Sequence, residues 1–152
     1  MVDISAKADT VRTAVAIGRV NLGEEAFSRV AENAIQKGDV LAISQFAGIM
    51  AAKETSRLIP LCHQVALTGI DVELTLDEDA YSIDVRAYTK SVGSTGVEME
   101  ALTAVSISCL TIYDMCKSVT KEIVIQDIQL LAKTGGESGT YRKQEVEPAE
   151  QQ

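Results

Sequence analysis

IDVELTL (70–76), DEDA (77–80) and YSIDVRAYTK (81–90) form the stretch on which the fold turns. Apolar and polar residues alternate in both outer runs, the period of a strand with one face buried and one face wet. The short acidic join between them predicts an antiparallel hairpin. Upstream, Val11, Thr13, Val15 and Ile17 alternate with Arg12, Ala14 and Ala16, which predicts another strand. EEAFSRVAENAIQ (24–36) reads as a helix stopped by Gly38. Asp39 is placed to cap a second helix, VLAISQFAGIMAAKETSRLI (40–59), that must end before Pro60. Beyond the hairpin, VGSTG leads into EMEALTAVSISCLTIYDMCK (98–117), long and mostly apolar, and KEIVIQDIQLL (121–131) is the last strand. The order β-α-α-β-β-α-β predicts an α+β fold of ferredoxin-like type, with helices packed on one face of an antiparallel sheet. Residues 1–133 read as one domain, and 134–152 as a glycine-rich segment and a flexible acidic tail.

Composition narrows the function classes. The 152 residues are 46% hydrophobic and 24% charged, enough to bury a core. The net charge is −8, of which Glu145, Glu147 and Glu150 in the tail supply three. That balance argues against nucleic acid as a partner, because a basic face supplies such affinity. Aromatic residues at 4% leave few platforms for stacked bases. No apolar run is expected to cross a membrane, and no basic-then-apolar leader is expected at Met1. Cys62, Cys109 and Cys116 show no Cys-x-x-Cys pair, so reduced thiols in a cytoplasmic protein are expected. An anionic ligand would need lysines and arginines gathered locally.

Several residues carry two readings. His63, the single histidine, sits in LIPLCHQVAL (58–67) as either a core residue or a working one. Thr95 and Glu98 fit a capping box, which would fully account for Glu98. Glu100 has no such excuse, lying among Met99, Ala101, Leu102 and Ala104 one turn into the helix. At the other end Thr111, Asp114 and Lys117 share a helix face. Lys117 suits a helix C-terminus, whereas Asp114 opposes the macrodipole there. A surface ion pair is the plain alternative. Lys37 in KGDV has a complete structural account beside its turn, and Lys53 and Lys133 are equally anonymous. GSTG (93–96) is a weak anion site at a helix start. Metal ligation is not expected, since no second histidine or cysteine pair accompanies Cys62 and His63.

MVDISAKADTVR (1–12), KGDV (37–40), LIPLCH (58–63), TGVEMEAL (95–102), LTIYDMCK (110–117) and LLAKTGGESG (130–139) occur in an order and spacing that resembles the MoaC family of cyclic pyranopterin monophosphate synthases. The likeness covers residues 1 to about 140. It implies a ferredoxin-like lyase of molybdenum cofactor biosynthesis. Its substrate would be a cyclised dihydroguanosine triphosphate that an upstream radical enzyme makes from GTP. The products would be cyclic pyranopterin monophosphate and pyrophosphate. The resemblance further implies a homohexamer, a trimer of dimers with sites at subunit interfaces, and functional coupling to the radical GTP cyclase. By motif, Asp114 and Lys117 are the central catalytic pair and Lys37 joins them. Leu61, Cys62, His63, Thr95, Glu98, Met99 and Glu100 line the substrate, and Asp3, Lys7, Arg12, Lys53 and Lys133 serve its triphosphate or ring. No resident cofactor is implied, and Mg²⁺ enters only as a companion of the triphosphate. The chain departs from the family's usual pattern at Gln64, Ser94 and Glu137. Two rival readings are a ferredoxin-like module that binds a nucleotide without turning it over, and a thiol-ligated zinc protein.

Overall fold

The computed structural model describes residues 1–144, so the acidic tail lies outside the described residues. The chain runs β1 (Thr10–Asn21), α1 (Glu24–Ala31), α2 (Val40–Lys53), α3 (Thr55–Leu58), β2 (Leu67–Asp77), β3 (Ser82–Gly93), α4 (Glu98–Cys116), β4 (Val124–Thr134) and β5 (Tyr141–Arg142). Every strand pairing is antiparallel, in the spatial order β2-β3-β1-β4-β5. Helices pack on this sheet, and the fold is α+β and ferredoxin-like.

The hairpin forms as its alternation predicts, with Val72 opposite Ala87 and Leu74 opposite Val85. Asp77 Oδ1 accepts the Ala80 N–H at 3.1 Å, an Asx turn, and Tyr81 closes the loop at φ 48°. Along β1, Ala14, Ala16 and Val20 point into the core, as do Ile83, Val85 and Ala87 of β3. Those small and branched side chains form the floor on which α4 lies, through Ala101, Val105, Cys109 and Ile112. α2 crosses α4 closely where Gly48 meets Ala104 and Ser108, and Ser108 Oγ donates to Ser44 O at 2.9 Å.

Four expectations need correction. The first helix ends at Ala31, not residue 36, and Gly38 does not stop it. Asn33 N–H bonds Val30 O and Ala34 N–H bonds Arg29 O, with Asn33 at φ 52°, so asparagine takes the left-handed position of a Schellman motif. The second helix breaks at Glu54 into α2 and α3, although Asp39 caps it as expected by accepting the Ala42 N–H. The Thr95–Glu98 capping box does not form: Val97 occupies the cap position with no side-chain bond, and the Glu98 carboxylate folds back over Gly96. The strand expected over 121–131 is not the last: it runs as β4 from Val124 to Thr134 and β5 follows it, and it starts late because the chain is still turning after α4, where Thr120 Oγ1 takes the Glu122 N–H. A fifth point concerns membranes. α4 is long and apolar enough by composition to span a bilayer. Ten of its residues are nonetheless buried between the sheet and α2.

The glycine-rich stretch that sequence reading leaves to fray is placed through residue 144. β4 ends at Thr134, the chain turns through Gly135, Gly136 and Gly139 at positive φ, and Tyr141–Arg142 return to pair with Ala132–Lys133.

Candidate active site

The signature residues divide between the two ends of α4. At its C-terminus, Asp114 accepts from Lys37 Nζ on Oδ2 and from Lys117 Nζ on Oδ1, each at 2.6 Å. Lys37 also donates to the Asp114 carbonyl at 3.1 Å. Lys37 reaches this point because the Asn33 turn and Asp39 cap bring the α1–α2 connection against the end of α4. The two ammoniums answer the electrostatic cost of a carboxylate at a helix C-terminus. All three side chains stay about half exposed. Exposed pairs contribute little to stability, so two of them on one carboxylate are not explained by folding alone.

Hydrogen bonds from Lys117 and then Lys37 hold the Asp114 carboxyl down to about 2. Asp114 is therefore ionised throughout the neutral range, and what stability the cluster adds is lost only as pH falls from the ordinary aspartate range toward 2. Lys117 moves the other way, raised by its hydrogen bond to Asp114. Its nearest partner is an anion, so Lys117 waits protonated.

At the N-terminal end of α4, Cys62, His63, Thr95, Glu98, Met99 and Glu100 line one cavity of about 200 Å³, with Val65 and Gly96. Six of the candidates are thus brought together. Leu61 stands beside them, 71% exposed, and does not line the cavity. Glu100 is only 4% exposed, and burial, with Glu98 adding repulsion, raises its carboxyl above the usual range. Burial and the Glu100 charge raise the Cys62 thiol. The sign of the Glu100 shift makes a prediction. A raised carboxyl costs stability as pH climbs from the unfolded glutamate value through the folded one, because the native state holds the proton longer. Glu100→Gln should therefore raise Tm at pH 7, by roughly 2–4 °C per kcal/mol relieved, and leave it unchanged near pH 4. Thermal melts at the two pH values decide this. An equal shift at both would assign the effect to packing.

The remaining candidates lie apart. Arg12 is buried, donates from Nε to Gly93 O at 3.1 Å, and lays its guanidinium across Gly136, where any Cβ would collide. Lys133 bonds Ser138 within the same glycine turn. Lys53 borders a separate groove with Val65 and Leu67. Asp3 lies on the exposed N-terminal arm, accepting from the Ser5 N–H at 2.9 Å, close enough to feel His63; Lys7 follows in the next turn. Sequence reading has Gly96 only within a weak anion site and leaves Gly135 and Gly136 in a glycine-rich segment expected to fray, whereas the Glu98 carboxylate lies over Gly96 and Val11 and Arg12 lie against Gly135 and Gly136. Their signal is a close approach of side chain to backbone, which no local pattern carries. Among the described residues, no group of three or more histidine, cysteine or acidic side chains is placed to hold a metal.

The MoaC family model matches residues 1–136. The chain belongs to the MoaC family. A Salinibacter ruber relative named cyclic pyranopterin monophosphate synthase is 62% identical over 152 residues, spanning 99% of this chain and 89% of the relative. One from Heliobacterium modesticaldum, with the same name, is 57% identical over 145 residues, covering 95% and 91% of the two chains. The human molybdenum cofactor biosynthesis protein 1 is 50% identical over 143 residues, which make up 94% of this chain but 22% of that longer protein. Membership spans both ends of α4, so the LCH and EME residues and the YDMCK residues belong to one matched unit.

Proposed function

We infer that the protein is a cyclic pyranopterin monophosphate synthase, a lyase of molybdenum cofactor biosynthesis. It converts the cyclised dihydroguanosine triphosphate, derived from GTP by a radical enzyme, to cyclic pyranopterin monophosphate and releases pyrophosphate. The single observation that carries the reading is the Lys37–Asp114–Lys117 cluster, at 2.6 Å on both sides, in a chain of this family. A binding module would not require two ammoniums on one exposed carboxylate. A thiol-ligated zinc protein is not favoured by any observation.

Opening an imidazole ring, closing a pterin and expelling pyrophosphate need protons delivered and removed. Lys117, held protonated by Asp114, suits the role of acid. Asp114 keeps the two ammoniums apart and oriented, and Lys37 is the second cation beside it. Glu100 and His63 line the other cavity, and Arg12 with Lys133 presents donors to a phosphate at the glycine turn. Lys7, Lys53 and Asp3 complete the substrate contacts in this proposal, with Leu61 at the rim. No resident metal is part of the reading, and Mg²⁺ arrives, if at all, on the triphosphate. A cytoplasmic location belongs to the same proposal, as does coupling to the radical cyclase.

Glu100 and Asp114 are fourteen residues apart on one helix, about 21 Å along its axis. That separation favours sites made between subunits, and a homohexamer, a trimer of dimers, belongs to the same proposal. Sedimentation should give a hexamer, and a stable monomer at micromolar concentration would defeat it. Pyrophosphate release from the cyclised substrate, followed by a coupled assay, tests the function itself. His63→Ala should weaken substrate binding or slow turnover roughly tenfold or more with the oligomer intact. Unfolding with normal specific activity in the folded fraction would instead make His63 a core residue.

A further inference from the structure

Thr89 stands on the core-facing side of β3, in line with Ile83, Val85 and Ala87, and is wholly buried. A valine would fill that place without carrying a hydroxyl into the core, where an unpaired one is costly. The hydroxyl has a use: Thr89 Oγ1 donates to Val97 O at 3.0 Å. Val97 is the residue on which α4 starts, and no side chain caps that helix. Its carbonyl already takes the Ala101 N–H at 3.2 Å, so a second donor is not needed to satisfy it. What the bond adds is a fixed distance between the strand and the first turn of α4. That turn carries Glu98, Met99 and Glu100, which line the cavity near Cys62 and His63. Cys62, His63 and Val65 line it from the segment that leads into β2, and β2 pairs with β3 through Ile70 opposite Thr89. Both lining segments are thus referred to one residue of β3.

We propose that Thr89 is a positioning residue for substrate binding: its buried hydroxyl seats the first turn of α4 on β3 and so holds Glu98, Met99 and Glu100 at their distance from Cys62 and His63. That the cavity takes substrate rests on the functional reading; the seating of the helix does not. Thr89 does not itself line the cavity, so it acts through Val97. The Lys37–Asp114–Lys117 cluster hangs on the far end of α4, tied to the α1–α2 connection, and a loosened first turn leaves its geometry in place. Binding and turnover therefore separate. Ser91 is the contrast within the strand. It lies two residues further along the same face, equally buried, and its hydroxyl has no partner among the described residues. Removing that hydroxyl takes a buried polar atom from β3 without releasing the start of α4.

Thr89→Val keeps the shape and deletes the donor. It should raise KM for the cyclised substrate roughly tenfold while kcat changes little, the pattern of weakened binding beside an intact reaction centre. Thr89→Ser, which keeps the hydroxyl, should hold KM near the wild-type value, and Ser91→Ala should leave it unchanged. Hydrogen exchange read by mass spectrometry follows the seat of the helix without any turnover. In Thr89→Val the amides of residues 97–102 should exchange several-fold faster, and those of residues 110–116 as in the wild type. Should Thr89→Val fail to fold, Thr89→Ser against Thr89→Ala makes the same comparison, since the two differ by the hydroxyl alone. Unchanged KM in a folded protein lacking the hydroxyl would overturn the proposal, as would an equal rise in Thr89→Ser or Ser91→Ala. Exchange that rises evenly along α4, or does not rise at residues 97–102, would overturn it too. An inactive wild type would sink the functional reading instead, and the exchange comparison would still decide how α4 is seated.

Discussion

Lys117→Ala should lower turnover by at least about two orders of magnitude, the usual scale for a group that transfers a proton in the rate-limiting step. The melting temperature should change little, because the Lys117–Asp114 pair is half exposed. Loss of charge alone would also disturb Asp114, so Lys117→Arg is the sharper variant. Arginine keeps the cation beside Asp114 but does not release a proton near neutrality. A positioning ion pair would survive that exchange with near-normal activity. A proton donor would not, even with substrate binding retained. Because Asp114 raises Lys117, removing the carboxylate should also lower the pH at which the basic limb of the rate profile falls. Asp114→Asn is therefore expected to shift that limb downward, not merely to scale the rate. Wild-type turnover in a folded Lys117→Arg protein contradicts the assignment.

Gly48→Ala should destabilise the fold by about 1–3 kcal/mol, against the usual sign for this exchange. On an open helix face, replacing glycine by alanine gains about 1 kcal/mol. At position 48 the added Cβ would collide with Ser108 Oγ, lie 3.0 Å from Ala104 O and touch Val72 Cγ1 at 3.4 Å. Ser108 already donates to Ser44 O, so turning it away breaks a buried hydrogen bond. Either the helices separate or that bond is lost, and both outcomes lower Tm. Denaturant melts of the folded protein provide the measurement. An unchanged or raised midpoint would mean that α2 and α4 are not so closely packed.

The fold was legible where alternation or capping chemistry is local. The 70–90 hairpin, the β1 pattern and the Asp39 cap all follow from neighbours in sequence. Where a choice depended on distant packing, sequence reading went astray. Asn33 rather than Gly38 ends α1, since an asparagine tolerates the left-handed turn and a six-residue hydrogen-bond pattern chooses between them. Thr95 lost the cap at α4 to Val97, whose buried side chain fixes where the helix begins. The site residues were legible chiefly through matched motifs. Physics alone favoured ordinary roles for Lys37, Glu98 and Lys117. That Asp114 holds both lysines at once is a fact of tertiary contact between residues 37 and 114, invisible to any local pattern. Arg12 under Gly136 is another such contact, drawing the N-terminal strand and the C-terminal glycine turn together.

The central claim is chemical conversion, and it is tested most directly by mass spectrometry of a single reaction. The purified protein is mixed with cyclised dihydroguanosine triphosphate in several-fold excess, and the mixture is followed for both products. A synthase should consume the excess over many turnovers, yielding cyclic pyranopterin monophosphate and pyrophosphate in equal amounts, while the Lys117→Ala protein leaves the substrate nearly untouched. Recovery of intact substrate, bound one per site and released unchanged on denaturation, would instead make the protein a nucleotide-binding module and contradict the account.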